Sequence, residues 1–553
     1  MLRLRSGIAL LLLIAAPLAI AGETATEAAS QTNTDTADQA SSETTAETSN
    51  EYASGVVFHD RNRDATRDAF DFGVRGVAVS NGRDVVVTDW RGRYQIAVGN
   101  DTILFVIKPE GWATPLDKNG FPRFHYIHKP QGSPTDLAYP GVPPTGPLPD
   151  QIDFPLHRQR ESSSFRAILL SDTQTYDLDE LNLLNRDIIA ELIGTQAAFG
   201  LTLGDMVGDD LSLFEPLNES IGQIGVPWYG VIGNHDMNYH AKTDQHSDES
   251  YERVYGPPTY AFSYGKVHFI VLDDVVYGGP KDEKGTEGPY HASFSEDQLA
   301  FVENYLKTVP RDRLIVLAMH VPLTSPPFAV GKRRALFQIL SDRPHTLSVA
   351  GHTHTQENRF YGPEAGFDGP QPHHQWINAA ASGSWWLGAA DEVGIPHTTM
   401  RDGTPNGYSI IQFDGHQYSI RFKAARRPAD HQMNIFAAAA TTSENAAETE
   451  ILVNVFSGSE QTQVEMRLGN NGDWMPLQRE VREDPYYLAT AERDRQRNPR
   501  PEYLLMPAIK SPHLWVGTLP ENPPTGTYTI EVRATDRYGQ VFRGRHLIRI
   551  DSR

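Results

Sequence analysis

At 553 residues the chain is too long for one compact core and predicts three or four folding units at roughly 150 residues each. A content of 39% hydrophobic and 22% charged residues is ordinary for globular protein and excludes a chain disordered throughout. The formal charge of -21 disfavours nucleic acid and anionic membranes as surface partners, and the absence of cysteine excludes disulfides, thiolate ligands and a cysteine nucleophile, so any metal must be held by nitrogen and oxygen.

In chain order, Arg3 and Arg5 precede the apolar run Ile8 to Ile14 and the small-x-small site Ala19-Ile20-Ala21, the pattern of a cleaved signal peptide over 1–21. That run is shorter than the ~20 residues a membrane helix needs, and no later stretch reaches that length. The expectation is a periplasmic or secreted chain without a membrane span. Residues 22–51 are Thr, Ser, Ala and Glu with almost nothing large and apolar, which predicts a disordered acidic tether. From Tyr52 short β-like runs follow, Gly55 to Phe58, Gly76 to Val79 and Asp84 to Val87, separated by Gly and Asn-Gly turns. They predict a β-sandwich over 52–158.

Within it, the stretch Phe58-His59-Asp60-Arg61-Asn62-Arg63-Asp64, with Asp68 and Asp71 after it, resembles the opening of secreted B-repeat-like β domains, as does Thr88 to Tyr94. Alternate oxygen side chains at Asp60, Asn62 and Asp64, with Asp68 beyond, are candidate calcium ligands in the manner of an EF-hand loop. The glycine usual at the sixth position is Ala65 here and three arginines interleave, so a solvated acidic turn is the competing reading.

From Phe165 strand-like apolar runs alternate with helical patterns. Arg166 to Leu170 leads into Ser171-Asp172, and Leu178, Leu181, Leu184, Ile188, Ile189 and Leu192 then recur at helical spacing. Phe199 to Leu203 leads into Gly204-Asp205, and Trp228 to Ile232 into Gly233-Asn234-His235-Asp236. Leu314 to Ala318 leads into Met319-His320, and Thr346 to Ala350 into Gly351-His352-Thr353-His354. Five buried strands thus each deliver polar side chains at the carboxyl end, the edge where α/β folds assemble ligand sites. After Tyr361 the sequence is rich in Trp and Gly up to Tyr408 and strand-like through Phe422. The runs Ile451 to Phe456 and Tyr528 to Arg533, with the Asp536-Arg537-Tyr538-Gly539 turn, predict a second β-sandwich of immunoglobulin-like type over 426–553.

Each polar cluster is weak alone. Together Asp172-x-Gln174, Gly204-Asp205, Gly233-Asn234-His235-Asp236, His320 and Gly351-His352-Thr353-His354 resemble, in order and context, the motifs of the calcineurin-like metallophosphoesterases. The resemblance covers roughly 165–354, and with a β module on either side it is similar to the bacterial three-domain members of that family. It implies an α/β fold, a metallophosphoesterase-type β-sandwich flanked by helices, over 163–425. It also implies a site for two divalent ions, manganese, iron or zinc, with Asp205 bridging them. Asp172, Gln174 and His354 would complete the first site, and Asn234, His320 and His352 the second. His235 would face the phosphate as a general acid or charge-stabilising donor, and Asp236 would orient it. The expected substrate is a small phosphate ester, cleaved by activated water without a covalent phosphoenzyme.

Two departures stand out. The family's first motif is usually Asp-x-His, and Gln174 places a neutral amide oxygen there, a poorer zinc ligand that suits harder ions. Where an acid or amide often follows three positions after the bridge, this chain has Gly208, then Asp209 and Asp210, which are candidate acceptors for ligand histidines or simple helix-start acids. Trp385, Trp386 and Asn406 are candidate substrate contacts. His373 and His374 lie in no motif and are expected to be exposed. A cell-surface binding protein with a degenerate phosphoesterase domain is the alternative function, and retention of all but one of the usual ligand types argues for the enzyme. If the signal peptide is read correctly, mass spectrometry of the mature protein will show a chain that begins at Gly22; a chain retaining residues 1–21 after export contradicts it.

Overall fold

The structure is a computed structural model and describes residues 51–282, 288–326 and 328–552. The predicted signal peptide and nearly all of the predicted tether lie outside the described residues. Glu51, assigned to the tether, instead opens a strand, Glu51–His59. Among the described residues no helix is long and apolar enough to cross a membrane.

The N-terminal module consists of two four-stranded sheets. One runs Arg93–Val98, Glu51–His59, Phe154–Arg158, Trp112–Ala113, and the other Val85–Val87, Ala78–Ser80, Thr102–Val106, His125–His128. Val57, Val79, Leu104 and Phe105 are buried; adjacent Leu104 and Phe105 point to opposite faces, so Thr102–Val106 is covered on both. The candidate calcium residues do not gather into a cage: among the described residues no group of three or more potential metal-binding His or carboxylate side chains includes them. Asp60 instead accepts the backbone N–H groups of Arg63 (2.7 Å) and Ala65 (2.9 Å), Asn62 donates to Asp64 (2.9 Å), and Asp68 accepts from Phe70. These bonds stitch a tight acidic turn through the positive φ of Arg63 and Ala65.

The central strands are β1 (Ser164–Leu170), β2 (Phe199–Leu203), β3 (Trp228–Val231), β4 (Tyr260–Tyr264), β5 (Val267–Val271), β6 (Leu314–Ala318), β7 (Thr346–Ala350), β8 (Glu357–Tyr361), β9 (His373–Ile377), β10 (Gly407–Asp414) and β11 (Gln417–Ala424). They form two sheets, ordered β3-β2-β1-β10-β11 and β4-β5-β6-β7-β9-β8. β1, β2 and β3 are mutually parallel, as are β5, β6, β7 and β9. Parallel strands are covered on both faces, so β2 and β6 are buried along their whole length and read as unbroken apolar runs. Aromatic side chains join the sheets: Phe199 of β2 meets Phe262 (5.4 Å) and Phe269 (5.2 Å) of the facing sheet, and Phe269 meets Phe413 (5.6 Å). The carboxyl ends of β1, β2, β3, β6 and β7 lie at one edge of this sandwich.

The predicted helix after β1 runs Leu178–Leu184, passes through a π turn at Asn185–Ile189 and ends at Leu192. The wide turn carries the buried Asp187, which accepts from Asn406 Nδ2 (2.6 Å) and Arg426 Nε (2.6 Å) and so ties the helix to the end of the central domain. His373 and His374 are buried rather than exposed, because β9 is an interior strand. His373 bonds Thr346 (2.8 Å) and Ser348 (2.9 Å), and His374 bonds Tyr418 (2.8 Å) and Asn358 (2.9 Å), so both nitrogens of each ring are used structurally.

The C-terminal module has sheets Met433–Phe436, Glu450–Val455, Lys510–Thr518, Gln478–Glu483 and Ala440–Thr442, Val541–Asp551, Gly526–Thr535, Gln463–Leu468, Met475–Pro476. Val453, Trp515, Ile530, Val532 and Phe542 form its own core. A helix that the sequence pattern did not predict, Pro485–Gln496, lies against the central domain, where Asp494 accepts the N–H of Ala389 (3.0 Å) and bonds His397 (3.0 Å).

Candidate metal centre

Asp205 is the hub. It follows β2 at φ 49°, is buried, and ties three turns together: its carbonyl accepts the Gln174 N–H (2.9 Å), its Oδ1 accepts the His235 N–H (2.9 Å), and its Oδ2 lies 3.2 Å from His320 Nε2. Two neighbouring glycines make this possible. A Cβ on Gly204, itself at φ 83°, would stand 2.4 Å from the His320 ring, and one on Gly233 would stand 2.2 Å from Asp205 N.

The other motif residues converge on the same place. His320 Nδ1 bonds the carbonyl of Leu203 (2.8 Å), which directs Nε2 toward Asn234 Oδ1 (3.1 Å) and His352 Nδ1 (3.1 Å). The ligand atoms of Asp205, His320 and His352 lie within 4.8 Å of one another. Asp172 accepts the His352 N–H (2.9 Å) and the Ser171 hydroxyl, and lies 3.8 Å from His354 Nε2. His354 Nδ1 bonds the Gly383 carbonyl, and the Trp385 ring stacks on the imidazole at 4.1 Å and 20°. The buried Asp274, absent from the sequence reading, accepts the N–H groups of His320 and Val321 (both 3.1 Å). Its signal was present all the same, since Asp273-Asp274 ends the apolar run Val267 to Leu272 as the motif residues end theirs.

Backbone strain marks the site. Of the fourteen non-glycine residues with positive φ among the described residues, eight lie here: Asp172, Gln174, Asp205, Asp209, His352, His354, Trp385 and Trp386. Each costs of order 1–3 kcal/mol and persists only where the surroundings over-determine it, which is common at functional sites.

The electrostatics follow from burial. Burial pushes the Asp205 carboxyl up, but the imidazoles of His320 and His235 outweigh it and leave the group below the ordinary range. Burial alone would disfavour a charged His320, and Asp205 outweighs it and raises the imidazole to about 10. A cation is thus already favoured beside Asp205. The side chains suit divalent ions, offering only nitrogen and oxygen donors, and Gln174 Oε1 is buried with no protein partner. Its amide is oriented by Tyr176, whose hydroxyl accepts from Gln174 Nε2 (3.2 Å).

Three expected roles are corrected. Asp236 does not orient His235: it is buried and turns back to accept the N–H groups of Gly233 (2.9 Å) and Val207 (3.1 Å). The imidazole partner is Asp209, whose Oδ1 lies 2.5 Å from His235 Nδ1. Gly208 explains the altered spacing, because a Cβ there would stand 2.7 Å from the Tyr176 ring, so the carboxylate comes one residue later. Asp210 instead caps a short helix, accepting from Ser212. Trp386 is buried, and Asn406 is buried and held by Asp187 and Ala381, so neither reaches a substrate. Trp385 remains half-exposed beside His354, and Tyr290 joins it at the rim, edge-on to His352 at 6.1 Å.

Three family models match in sequence: the N terminal of calcineurin-like phosphoesterase over 61–140, calcineurin-like phosphoesterase over 165–356, and the C terminal of calcineurin-like phosphoesterase over 375–542. The last begins within β9, takes in β10 and β11, and runs through the C-terminal module to the start of its final strand, Val541–Asp551. No curated protein matches the chain. Among solved structures, the purple acid phosphatase PPD1 from yellow lupin (Lupinus luteus) seeds is 13% identical with a TM-score of 0.33, covering 68% of this chain and 67% of its own. The spore cortex lytic enzyme SleM of Clostridium perfringens is 10% identical with a TM-score of 0.15, covering 71% and 100%. Neither likeness is close enough to carry an argument.

The Gln174 geometry gives a direct test. Gln174→His should raise zinc affinity and Gln174→Ala should weaken one of two ions, both read by metal titration and elemental analysis; two ions held with unchanged affinity in both variants would remove Gln174 from the centre.

Proposed function

This chain belongs to the calcineurin-like phosphoesterases and is a phosphoester hydrolase of their three-domain type, and from that premise we propose that it cleaves a small phosphomonoester or phosphodiester outside the cytoplasm. The observation that carries the proposal is the convergence of Asp205, His320 and His352 beside a buried Gln174 Oε1 that lacks a protein partner. Two divalent ions are implied by the family, of which manganese, iron and zinc suit the donors. Asp172, Gln174 and His354 would hold one, Asn234, His320 and His352 the other, and Asp205 both. The chemistry that two such ions supply when bound is neutralisation of phosphate charge and a lowered pKa for water.

The protein's own residues do the rest. Leu203, Gly383 and Asp274 fix the ring and backbone of the histidines, so little reorganisation accompanies binding. His235 Nδ1 pairs with Asp209 Oδ1, which orients the ring, and Nε2 is the nitrogen that would give a proton to the leaving oxygen. Trp385 forms the wall beside His354 and offers an apolar face to the rest of the substrate. The location rests on the signal pattern over 1–21, and the modules over 52–158 and 426–553 are read as B-repeat-like and immunoglobulin-like.

Replacement of the acid tests this assignment. His235→Ala should keep metal content and lose on the order of 10²–10⁴ in turnover on an alkyl ester, with a smaller loss on an activated aryl ester that needs little protonation. Asp209→Asn should show the same leaving-group pattern at reduced size, whereas Asp236→Asn, whose side chain serves the backbone, should act on stability. Equal losses on both esters in His235→Ala would replace proton donation by charge stabilisation, and loss of metal would assign His235 to the ligands.

A further inference from the structure

The N-terminal β module grips the loop that carries His235. The segment between its last two strands, beyond His128, reaches the central domain immediately after the Asn234-His235-Asp236 turn. There the buried Asn238, two residues past Asp236, accepts the Ala138 N–H at Oδ1 (3.3 Å) and donates from Nδ2 to the Tyr139 carbonyl (3.0 Å) and Ser250 Oγ (3.1 Å). Ser250 also donates to the Tyr139 carbonyl (3.2 Å). Every polar function of this side chain is therefore committed, two of its three bonds going to backbone of the other module. A buried amide in that state is held in one geometry, since any other leaves a buried polar group unpaired.

The grip continues on both sides. Lys129 bonds the buried Glu249 and lies 2.5 Å from Asp101 Oδ1 and 3.5 Å from Glu252, and Ser133 donates to Glu249 (2.5 Å). Asp101, His246 and Glu249 come close enough to suggest a cation site, but the Lys129 ammonium already sits among them, so the cluster reads as an ionic clasp between modules. Burial first, then the carboxylate of Asp210, push the Tyr139 phenol up to about 12. Inside the central domain, Tyr239, next to Asn238, donates to the Asn234 carbonyl (2.7 Å), so a shift at Asn238 passes straight to the ligand turn.

We propose that the N-terminal module is a working part of the active site: through Ala138, Tyr139 and Asn238 it positions the His235 side chain for reaction. Asn238 is a positioning residue, since it touches neither substrate nor metal ligand side chain. The proposal rests on His235 acting at the phosphate, as argued above, but not on whether it gives a proton or stabilises charge. A module that served only as a tether would need none of these bonds at this turn.

A double-mutant cycle on the full-length, metal-loaded enzyme tests it. Asn238→Ala should keep two ions and leave KM within about 2-fold while lowering kcat by about 10–100-fold, the scale on which a catalytic group displaced by about 1 Å loses rate. In the His235→Ala background the same change should cost less than about 2-fold, because its effect runs through that imidazole. Ala138→Pro, which lies in the N-terminal module and removes the N–H that Asn238 accepts, should show the same coupling at smaller size and covers the case in which Asn238→Ala does not fold. Losses that multiply independently of His235, or full activity in both single variants, would overturn the proposal. If His235→Ala itself is fully active, the reading of the acid fails first, and the cycle shows that separately.

Discussion

A single buried carboxylate organises the active half of this molecule. Asp205 sits where two sheets end, binds the turn after β1 through its carbonyl, the turn after β3 through Oδ1 and the turn after β6 through Oδ2. Burying one unpaired carboxylate is costly, so it must be surrounded by donors or cations. Those donors are backbone N–H groups and imidazoles, and divalent cations complete the set that family membership implies. The glycines at 204 and 233, the positive φ of the flanking residues and the parallel order of the strands are all consequences of bringing three turns within bonding distance of one side chain.

Each outer module bonds to segments next to this centre. The N-terminal module binds the segment after His235 through Asn238 and clasps Glu249, at the start of the helix Glu249–Tyr255, through Lys129. The C-terminal module holds the long loop that bears Trp385 and the Gly383 carbonyl: Asp494 bonds Ala389 and His397, His513 bonds Asp402, and Gln356, two residues past His354, donates to the Phe456 carbonyl. Interfaces built of buried, directional polar bonds fix geometry more than they add stability. Three domains in one chain thus behave as one site and its two supports.

Much of this was legible in the sequence, and the reasons are physical. Parallel strands buried on both faces appear as unbroken apolar runs, so β1, β2, β3, β6 and β7 and the polar turns after them could be read directly. Partners brought together by folding could not. Asp236 is adjacent to His235 in sequence, but in a tight turn its side chain points back to Gly233, while Asp209 arrives from another strand end at φ 73°. The exposure assigned to His373 and His374 failed because two polar residues in a row conceal an interior strand whose neighbours supply hydroxyl and amide partners. The helix Pro485–Gln496 has no apolar stripe: its buried face is Tyr487, Thr490, Ala491 and Asp494, which marks it only once its partners are known.

The account stands or falls on the metal centre doing chemistry. The most direct measurement is reconstitution: protein stripped with chelator, shown folded by circular dichroism, is titrated with manganese while hydrolysis of an aryl phosphate ester is followed. Activity should be absent in the stripped protein and rise to a plateau at two ions per chain, with Asp205→Ala failing to recover at any concentration. Full hydrolysis by the metal-free protein, or saturation with two ions without any ester cleaved across mono- and diesters, would contradict it.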